Sequence, residues 1–319
     1  MRTVGRCLRE ATGLRCGWPG SGVAVRFRGT RLSMRIREDG RNMYQISVDA
    51  QPPTAFRPDR GKEGVYTVAE NLTPGVHDVS IVKRTDGDLG EGVFLGLDAD
   101  GPFQEPPAPA ARRLEFLGDS ITSGYGVESS DPICATVSDW ENEGESYASL
   151  VSRDLHADHH TISWSGRTVS EVHAAFELAL PTRTDKTWDV KQWTPDAVII
   201  NLGTNNFGNG DPGEARFVAQ YVSLVTRIRE AYPKAFVLGV LGPMLTDGYP
   251  VGRNNLTHAR RYLQVATTKL KSRDPNFDFI ELDEQKHTDG LGCGFHPSKK
   301  TQRRMADRLT PRIKEKLGW

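Results

Sequence analysis

The apolar residues of this 319-residue chain change their spacing near residue 113, and no other feature constrains the fold as strongly. Before residue 100 they alternate with polar or small residues, as in residues 32–37 and 44–48. After residue 113, short continuous apolar runs alternate with stretches in which apolar residues recur every three or four positions. The first pattern indicates strands with one buried face, and the second is typical of a parallel sheet covered by helices. We therefore expect two domains of different class.

The first domain is expected to be all-β. Turn signals such as Gly29-Thr30 and Asp39-Gly40 separate its alternating runs, and no helical period appears among them. We expect residues 1–105 to form an antiparallel β-sandwich of jelly-roll type. Residues 106–113, which are rich in proline and alanine, are expected to form a stiff linker.

The second domain, residues 114–319, is expected to be an α/β domain with a parallel sheet flanked by helices. Five apolar runs predict its strands, at residues 114–117, 161–164, 197–202, 236–241 and 277–282. Three sets of residues at helical spacing predict helix faces: Tyr147, Leu150, Val151 and Leu155; Phe217, Tyr221, Leu224, Val225 and Ile228; and Met305, Leu309, Ile313 and Leu317.

Polar residues follow the predicted strands, at the edge where parallel α/β sheets bind ligands. They are Gly118-Asp119-Ser120-Ile121-Thr122, Ser165-Gly166-Arg167, Gly203-Thr204-Asn205-Asn206 and, near the C-terminus, Gly292-Cys293-Gly294-Phe295-His296-Pro297. Taken singly, these blocks could be a helix N-cap, ordinary turns and a surface histidine. Their order and their positions after strands favour an active site.

The same four blocks resemble those of the SGNH, or GDSL-type, hydrolases. The resemblance implies that Ser120 is a nucleophile and His296 its base. It also implies an oxyanion hole formed by the backbone N–H groups of Ser120 and Gly166 and the side-chain amide of Asn205, with Asp119 in support. These residue types suit acyl transfer, because a serine hydroxyl is a poor nucleophile until an imidazole takes its proton, and neutral donors stabilise an oxyanion.

The chain departs from the SGNH pattern next to His296. The family usually has an aspartate three residues before the histidine, where this chain has Cys293, and the position two before it is Gly294. Two arrangements remain: Asp289 folds back to orient the imidazole, or a backbone carbonyl accepts the Nδ1–H and leaves a Ser–His dyad. We favour the dyad, because a carbonyl holds the same tautomer that a carboxylate would hold.

The two-domain plan resembles carbohydrate esterase family 2. The resemblance rests on Trp18-Pro19-Gly20-Ser21-Gly22, Leu72-Thr73-Pro74-Gly75-x-His77, Lys83-Arg84-Thr85, residues 112–126 and the block ending in His296-Pro297. It implies hydrolysis of acetyl esters on plant cell-wall polysaccharides such as xylan and glucomannan, with no metal ion and no organic cofactor. The expected partner is an acetylated polysaccharide or oligosaccharide.

Four aromatic residues near the predicted rim are candidates for stacking on sugar rings: Tyr125, Trp140, Trp164 and Phe207. Core packing is the alternative for at least half of them. It applies first to Trp164, because that residue ends a predicted strand.

The four cysteines also predict contacts. Cys134 and Cys293 lie on loops that should converge on one rim, so we expect them to lie close together. They could form a disulfide that fixes the loop of His296, or they could remain free thiols. Cys7 and Cys16 could pair within a hairpin.

Composition narrows the choice of function. The 41 basic and 41 acidic side chains cancel, which gives no electrostatic reason to expect a nucleic-acid partner. No apolar run approaches the roughly 18 residues of a membrane span. We expect a monomer that acts outside the cell, as family 2 esterases usually do, although no secretory signal is visible at the N-terminus. The alternatives are a lipase or lysophospholipase of GDSL type and a catalytically weak carbohydrate-binding protein.

Overall fold

The structure is a computed structural model that describes residues 1–208 and 210–319. Contacts divide the chain into two compact units. The first comprises Met1–Pro109 and Leu178–Trp188, and the second comprises Ala110–Glu177 and Asp189–Trp319. Among the described residues, no helix combines the length and apolar character that a membrane span requires.

The first unit contains two antiparallel sheets, which confirms the predicted β-sandwich. Their strand orders are β1-β4-β9-β6-β7, with β11 beside β4, and β2-β3-β10-β5-β8. The strands are β1 Arg2–Val4, β2 Cys7–Glu10, β3 Gly13–Cys16, β4 Gly22–Gly29, β5 Leu32–Glu38, β6 Tyr44–Val48, β7 Thr54–Phe56, β8 Lys62–Ala69, β9 Gly75–Lys83, β10 Gly92–Ala99 and β11 Phe103–Gln104. Alternate residues such as Met34 and Ile36 point into one apolar core, as the period of two requires. Cys7 and Cys16 face each other across β2 and β3 and form a disulfide.

The segment Leu178–Trp188 belongs to the first unit, although the sequence analysis assigned it to the second domain. The Trp18 indole N–H donates to the carbonyl of Leu178 over 3.3 Å. The buried carboxylate of Glu91 accepts hydrogen bonds from Arg183 and Thr182. These partners compensate the cost of burying Glu91, and they are distant in sequence, so no local pattern could predict them.

The second unit contains a five-stranded parallel sheet in the order β13-β12-β14-β15-β16. Its strands are β12 Arg112–Gly118, β13 Ala157–Ser163, β14 Ala197–Asn201, β15 Phe236–Leu241 and β16 Phe277–Glu281. Its helices are α1 Ser120–Ser123, α2 Tyr147–Asp154, α3 Val169–Ala175, α4 Thr204–Gly208, α5 Glu214–Ala231, α6 Asn255–Lys271 and α7 Lys299–Leu317. All five predicted strands and three predicted helix faces are present, whereas α3, α6 and the short helices α1 and α4 were not predicted.

Helices cover both faces of this sheet. Leu238 and Val240 of β15 join a cluster with buried residues of α2 and α7. Between them, Gly239 faces the Tyr221 hydroxyl of α5.

The predicted linker needs correction, because Arg112 and Arg113 already pair with β13 and begin β12. The chain moves from β12 to β13 on one side and then to β14 on the other, so the strand order reverses beside β12. Such switch points are where ligands bind in open α/β sheets.

Candidate active site

Ser120 lies at this switch point, at the start of a one-turn helix. Asp119 caps that helix, because its side chain accepts a hydrogen bond from the Ile121 N–H over 3.0 Å. A Cβ on Gly118 would lie 1.9 Å from the Thr122 hydroxyl oxygen, so only glycine fits the turn. The turn holds Ser120 where 7% of its surface stays exposed.

His296 lies beside Ser120. Its Nε2 is 2.8 Å from the Ser120 Oγ, and its Nδ1 is 3.0 Å from the carbonyl oxygen of Gly294. A carbonyl only accepts, so Nδ1 carries the proton and the Nε2 lone pair can accept the hydroxyl proton of Ser120. Gly294 has φ +65°, and a Cβ there would lie 3.3 Å from Nδ1. Glycine therefore allows this carbonyl to approach the imidazole.

Asp289 lies elsewhere. Its carboxylate forms an ion pair with Lys300 at 2.8 Å and contacts the guanidinium of Arg304. The hydrogen bond from Lys300 lowers the pKa of Asp289 below its ordinary value. Of the two arrangements left open by the sequence, the structure has the carbonyl at Nδ1, and Asp289 is not the group that orients His296.

The loop that carries His296 is tied to the loop after α1. Cys293 forms a disulfide with Cys134, and their Cα atoms are 5.6 Å apart. The Cys293 N–H donates to the carbonyl of Gly126 over 3.0 Å, and the Gly294 N–H donates to the carbonyl of Pro132 over 2.8 Å. The cysteine that replaces the usual aspartate thus anchors the histidine loop instead of orienting the imidazole.

Two of the predicted oxyanion donors, Gly166 and Asn205, follow the strands on either side of β12. Asn205 follows β14 in α4, and its Nδ2 donates to the Asp119 carboxylate over 3.2 Å and to the Arg167 carbonyl over 3.0 Å. Asp119 therefore links the cap of α1 to this amide. Gly166 is exposed, has φ +76°, and follows β13, whose last residue pairs with Gly118. That conformation favours glycine, since other residues rarely adopt positive φ.

The four aromatic candidates occupy different environments. Phe207 is fully buried against Phe217 and Tyr262, so its proposed contact with sugar is wrong. An aromatic side chain suits a core as well as a binding surface, so residue type alone does not distinguish the two roles. Trp164 was the candidate for which core packing was considered first, but it is half-buried and does not lie in the core.

The remaining aromatics lie outside the core. The guanidinium of Arg167 lies 4.1 Å from the centroid of the Trp164 ring. Trp140 is 41% exposed. The ring of Tyr125 lies against the imidazole of His296, with 4.4 Å between centroids.

A cavity of about 340 Å³ opens beside Asn205, which sequence reasoning did not anticipate. Its other lining residues include Thr168, Ser170, Asn206, Arg216 and Gln220. Four of these five side chains are uncharged hydrogen-bonding groups of the kind that bind hydroxyls, whereas Arg216 and a further lining residue, Asp211, are charged. The five residues come from the starts of α3 and α5 and from α4, so no single stretch of sequence marks them.

Burial sets the protonation state of the predicted base. It lowers the pKa of His296 to about 4, against the weaker opposing effect of the carbonyls of Gly294 and Cys293. The imidazole is therefore neutral at neutral pH and free to accept a proton. A buried serine hydroxyl, a neutral imidazole in the correct tautomer and nearby amide donors are the groups that acyl transfer needs.

Comparisons with known proteins agree with this chemistry. The GDSL-like Lipase/Acylhydrolase family model matches residues 116–304, and the Carbohydrate esterase 2 N-terminal model matches residues 3–109. Cellulase/esterase CelE of Acetivibrio thermocellus is 34% identical over 97% of this chain, which spans 38% of that protein's length. An acetylxylan esterase / glucomannan deacetylase of Cellvibrio japonicus is 24% identical over all of this chain and 89% of its own length.

A solved structure resembles the whole chain. The structure of a family two carbohydrate esterase from Clostridium thermocellum in complex with cellohexaose superposes with a TM-score of 0.92 and 33% identity. It covers 100% of this chain and 99% of that one. With both of its domains matched and the solved relative covered almost completely, this chain belongs to carbohydrate esterase family 2 and is a carboxylic ester hydrolase.

Proposed function

We propose that this esterase removes O-acetyl groups from plant cell-wall polysaccharides such as xylan and glucomannan. The observation that carries the proposal is the 2.8 Å contact between Ser120 Oγ and His296 Nε2, with Nδ1 held by the Gly294 carbonyl. The name of the Cellvibrio relative supports acetylated xylan and glucomannan as substrates, and the cellohexaose bound to the Clostridium esterase supports a sugar-binding site.

The reaction follows from this geometry in two halves. Ser120 Oγ attacks the acetyl carbonyl while His296 Nε2 takes its proton. The resulting oxyanion accepts hydrogen bonds from Ser120 N–H, Gly166 N–H and one N–H of the Asn205 amide, which gives up its bond to Asp119 or to the Arg167 carbonyl in exchange. As the bond to the sugar breaks, His296 returns the proton to the sugar oxygen, which leaves an acetyl-enzyme. Water then loses a proton to His296 and attacks the acetyl group. As the second tetrahedral intermediate collapses, His296 returns that proton to Ser120 Oγ, which releases acetate and restores the free serine.

The surroundings suit a neutral sugar. The cavity beside Asn205 offers hydroxyl and amide groups, and the exposed ring of Trp140 offers a flat apolar face. Arg167 lies over one face of Trp164, so a sugar ring can stack only on the opposite face of that indole. We assign the cavity and the two tryptophans to substrate binding, and Phe207 to the core.

The proposal is tested by acetate release from acetylated xylan and acetylated glucomannan, with wild type and Ser120→Ala compared. We expect release by the wild type only, and much slower hydrolysis of p-nitrophenyl palmitate than of p-nitrophenyl acetate. Faster hydrolysis of the long-chain ester would favour a lipase. Equal rates for wild type and Ser120→Ala, together with retained binding of xylan, would favour a binding protein.

Asp289→Ala should leave kcat within about threefold of wild type, because the carboxylate faces Lys300 and Arg304 and not His296. The measurement is kcat for acetate release at neutral pH, with thermal unfolding as the check on folding. Asp289→Asn is the matched control, since it keeps the shape of the side chain. A loss of about 10³-fold in a folded variant would mean that a carboxylate orients the base after all.

The pH profile should reflect the lowered pKa of His296. Protonated His296 cannot accept the Ser120 proton, so kcat/KM should fall as the pH drops through about 4, where burial places the pKa of this imidazole. Activity at pH 5.5 should therefore be about equal to that at pH 7. Returning acid-treated samples to pH 7 separates titration from unfolding. An acid limb near the ordinary histidine value of about 6.5 would contradict this environment.

A further inference from the structure

Tyr125 packs on the proposed catalytic base. Its ring centroid is 4.4 Å from that of His296, and the two planes are inclined by 40°. The Tyr125 N–H donates to the carbonyl of Ser120 over 3.0 Å, so the residue belongs to the turn that carries the nucleophile. A Cβ on Gly294 would lie 3.2 Å from the Tyr125 Cε1. The tyrosine ring, the Gly294 peptide and the imidazole therefore form one packed group.

This group matters because His296 becomes positively charged during the reaction. In a Ser–His–Asp triad the aspartate stabilises the imidazolium, but here Nδ1 donates to an uncharged carbonyl oxygen. A hydrogen bond to a charged acceptor is roughly twice as strong as one between neutral groups. The Asp289 carboxylate is engaged with Lys300 and Arg304. A second source of stabilisation next to the ring would compensate for the missing charge.

We propose that Tyr125 is a positioning residue whose π face stabilises the imidazolium form of His296 by a cation–π interaction. The proposal rests on the roles assigned above to Ser120 and His296. A cation within about 6 Å of an aromatic centroid is attracted by the negative face of the ring, and more strongly where water is excluded. The observed 4.4 Å separation lies well within that range.

This role replaces the sequence-based hypothesis that Tyr125 stacks on a sugar. The two roles predict different effects of a substitution on kcat and KM. A sugar platform binds substrate before the reaction, so its loss should raise KM. Stabilisation of the imidazolium exists only once the proton has moved, so its loss should lower kcat and leave KM unchanged. The substrate should be an acetylated xylo-oligosaccharide, because its poor leaving group needs the proton from His296.

The test is a series of side chains at position 125. Tyr125→Leu should lower kcat about tenfold, and Tyr125→Phe should restore most of that loss. Mono-, di- and trifluorophenylalanine at position 125 should then lower kcat stepwise relative to Tyr125→Phe, because fluorine weakens the negative face while the ring keeps its shape. The same series at Phe176, a buried ring that packs on Tyr232, is the matched control and should show no trend.

Each outcome decides the question. A flat fluorine series at position 125, or a change confined to KM, would overturn the proposal. The fluorine series remains a valid test even if Tyr125→Leu fails to fold, because the members of the series differ little in shape. Ser120→Ala is measured alongside: if it retains activity, the proposed function itself is wrong, whereas a flat series with inactive Ser120→Ala overturns only the role of Tyr125.

Discussion

Ser120→Ala and His296→Ala should each lower kcat for deacetylation by about 10⁴-fold or more, and the double variant should be no slower than either single variant. The two side chains act as one unit, since Oγ and Nε2 are 2.8 Å apart and share the transferred proton. Removing the base leaves a hydroxyl too weak to attack, and removing the hydroxyl leaves a base with no proton to take. Losses that multiplied in the double variant would contradict this coupling.

Ser123→Ala is the matched control for this experiment. Ser123 lies in the same one-turn helix and is also buried, but its hydroxyl is hydrogen-bonded to that of Ser163 at 2.7 Å, whereas the hydroxyl bonded to His296 is that of Ser120. We expect its kcat to stay near that of the wild type, measured with the same acetylated xylo-oligosaccharide. Circular dichroism of all variants confirms that the losses are chemical. A comparable loss of kcat in Ser123→Ala would mean that the losses come from disturbance of the helix and not from removal of the nucleophile.

The order of strands and helices made the main site residues predictable. Buried parallel strands read as continuous apolar runs, so their ends could be located, and Ser120 and Asn205 follow two of them. The partner of Nδ1 could not be predicted, because it depends on the positive φ of Gly294, which the residue type permits but does not require. The sequence therefore favoured a backbone carbonyl over Asp289 but could not identify that carbonyl as the one of Gly294.

Contacts between distant residues were the other source of error. Leu178–Trp188 joins the first unit through partners of Glu91 and Trp18 that have no sequence period. Helix α6 was missed because its buried face mixes Leu256 and Leu263 with alanines, which dilutes the apolar pattern. Aromatic type alone could not separate Phe207 in the core from Tyr125 beside the imidazole.

Replacing Cys134 and Cys293 together by serine should lower the free energy of unfolding by up to about 5 kcal/mol, because the disulfide closes a loop of 159 residues. The same change should lower kcat about tenfold, since Cys293 lies three residues before His296 and small displacements of a base are costly. KM should change less than kcat. Thermal or urea unfolding and acetate release measure the two effects.

The disulfide between Cys7 and Cys16 serves as a control that separates the effect on stability from the effect on kcat. It joins residues only 9 positions apart and lies in the first unit. Its double serine variant should lose about 2.5 kcal/mol of stability and keep the wild-type kcat. Equal kcat values in both double variants would mean that the hydrogen bonds from the Cys293 and Gly294 N–H groups hold the histidine loop without the covalent bond. A selective loss of kcat with Cys134 and Cys293 would show that this disulfide, at the position where related hydrolases have a carboxylate, keeps His296 in place.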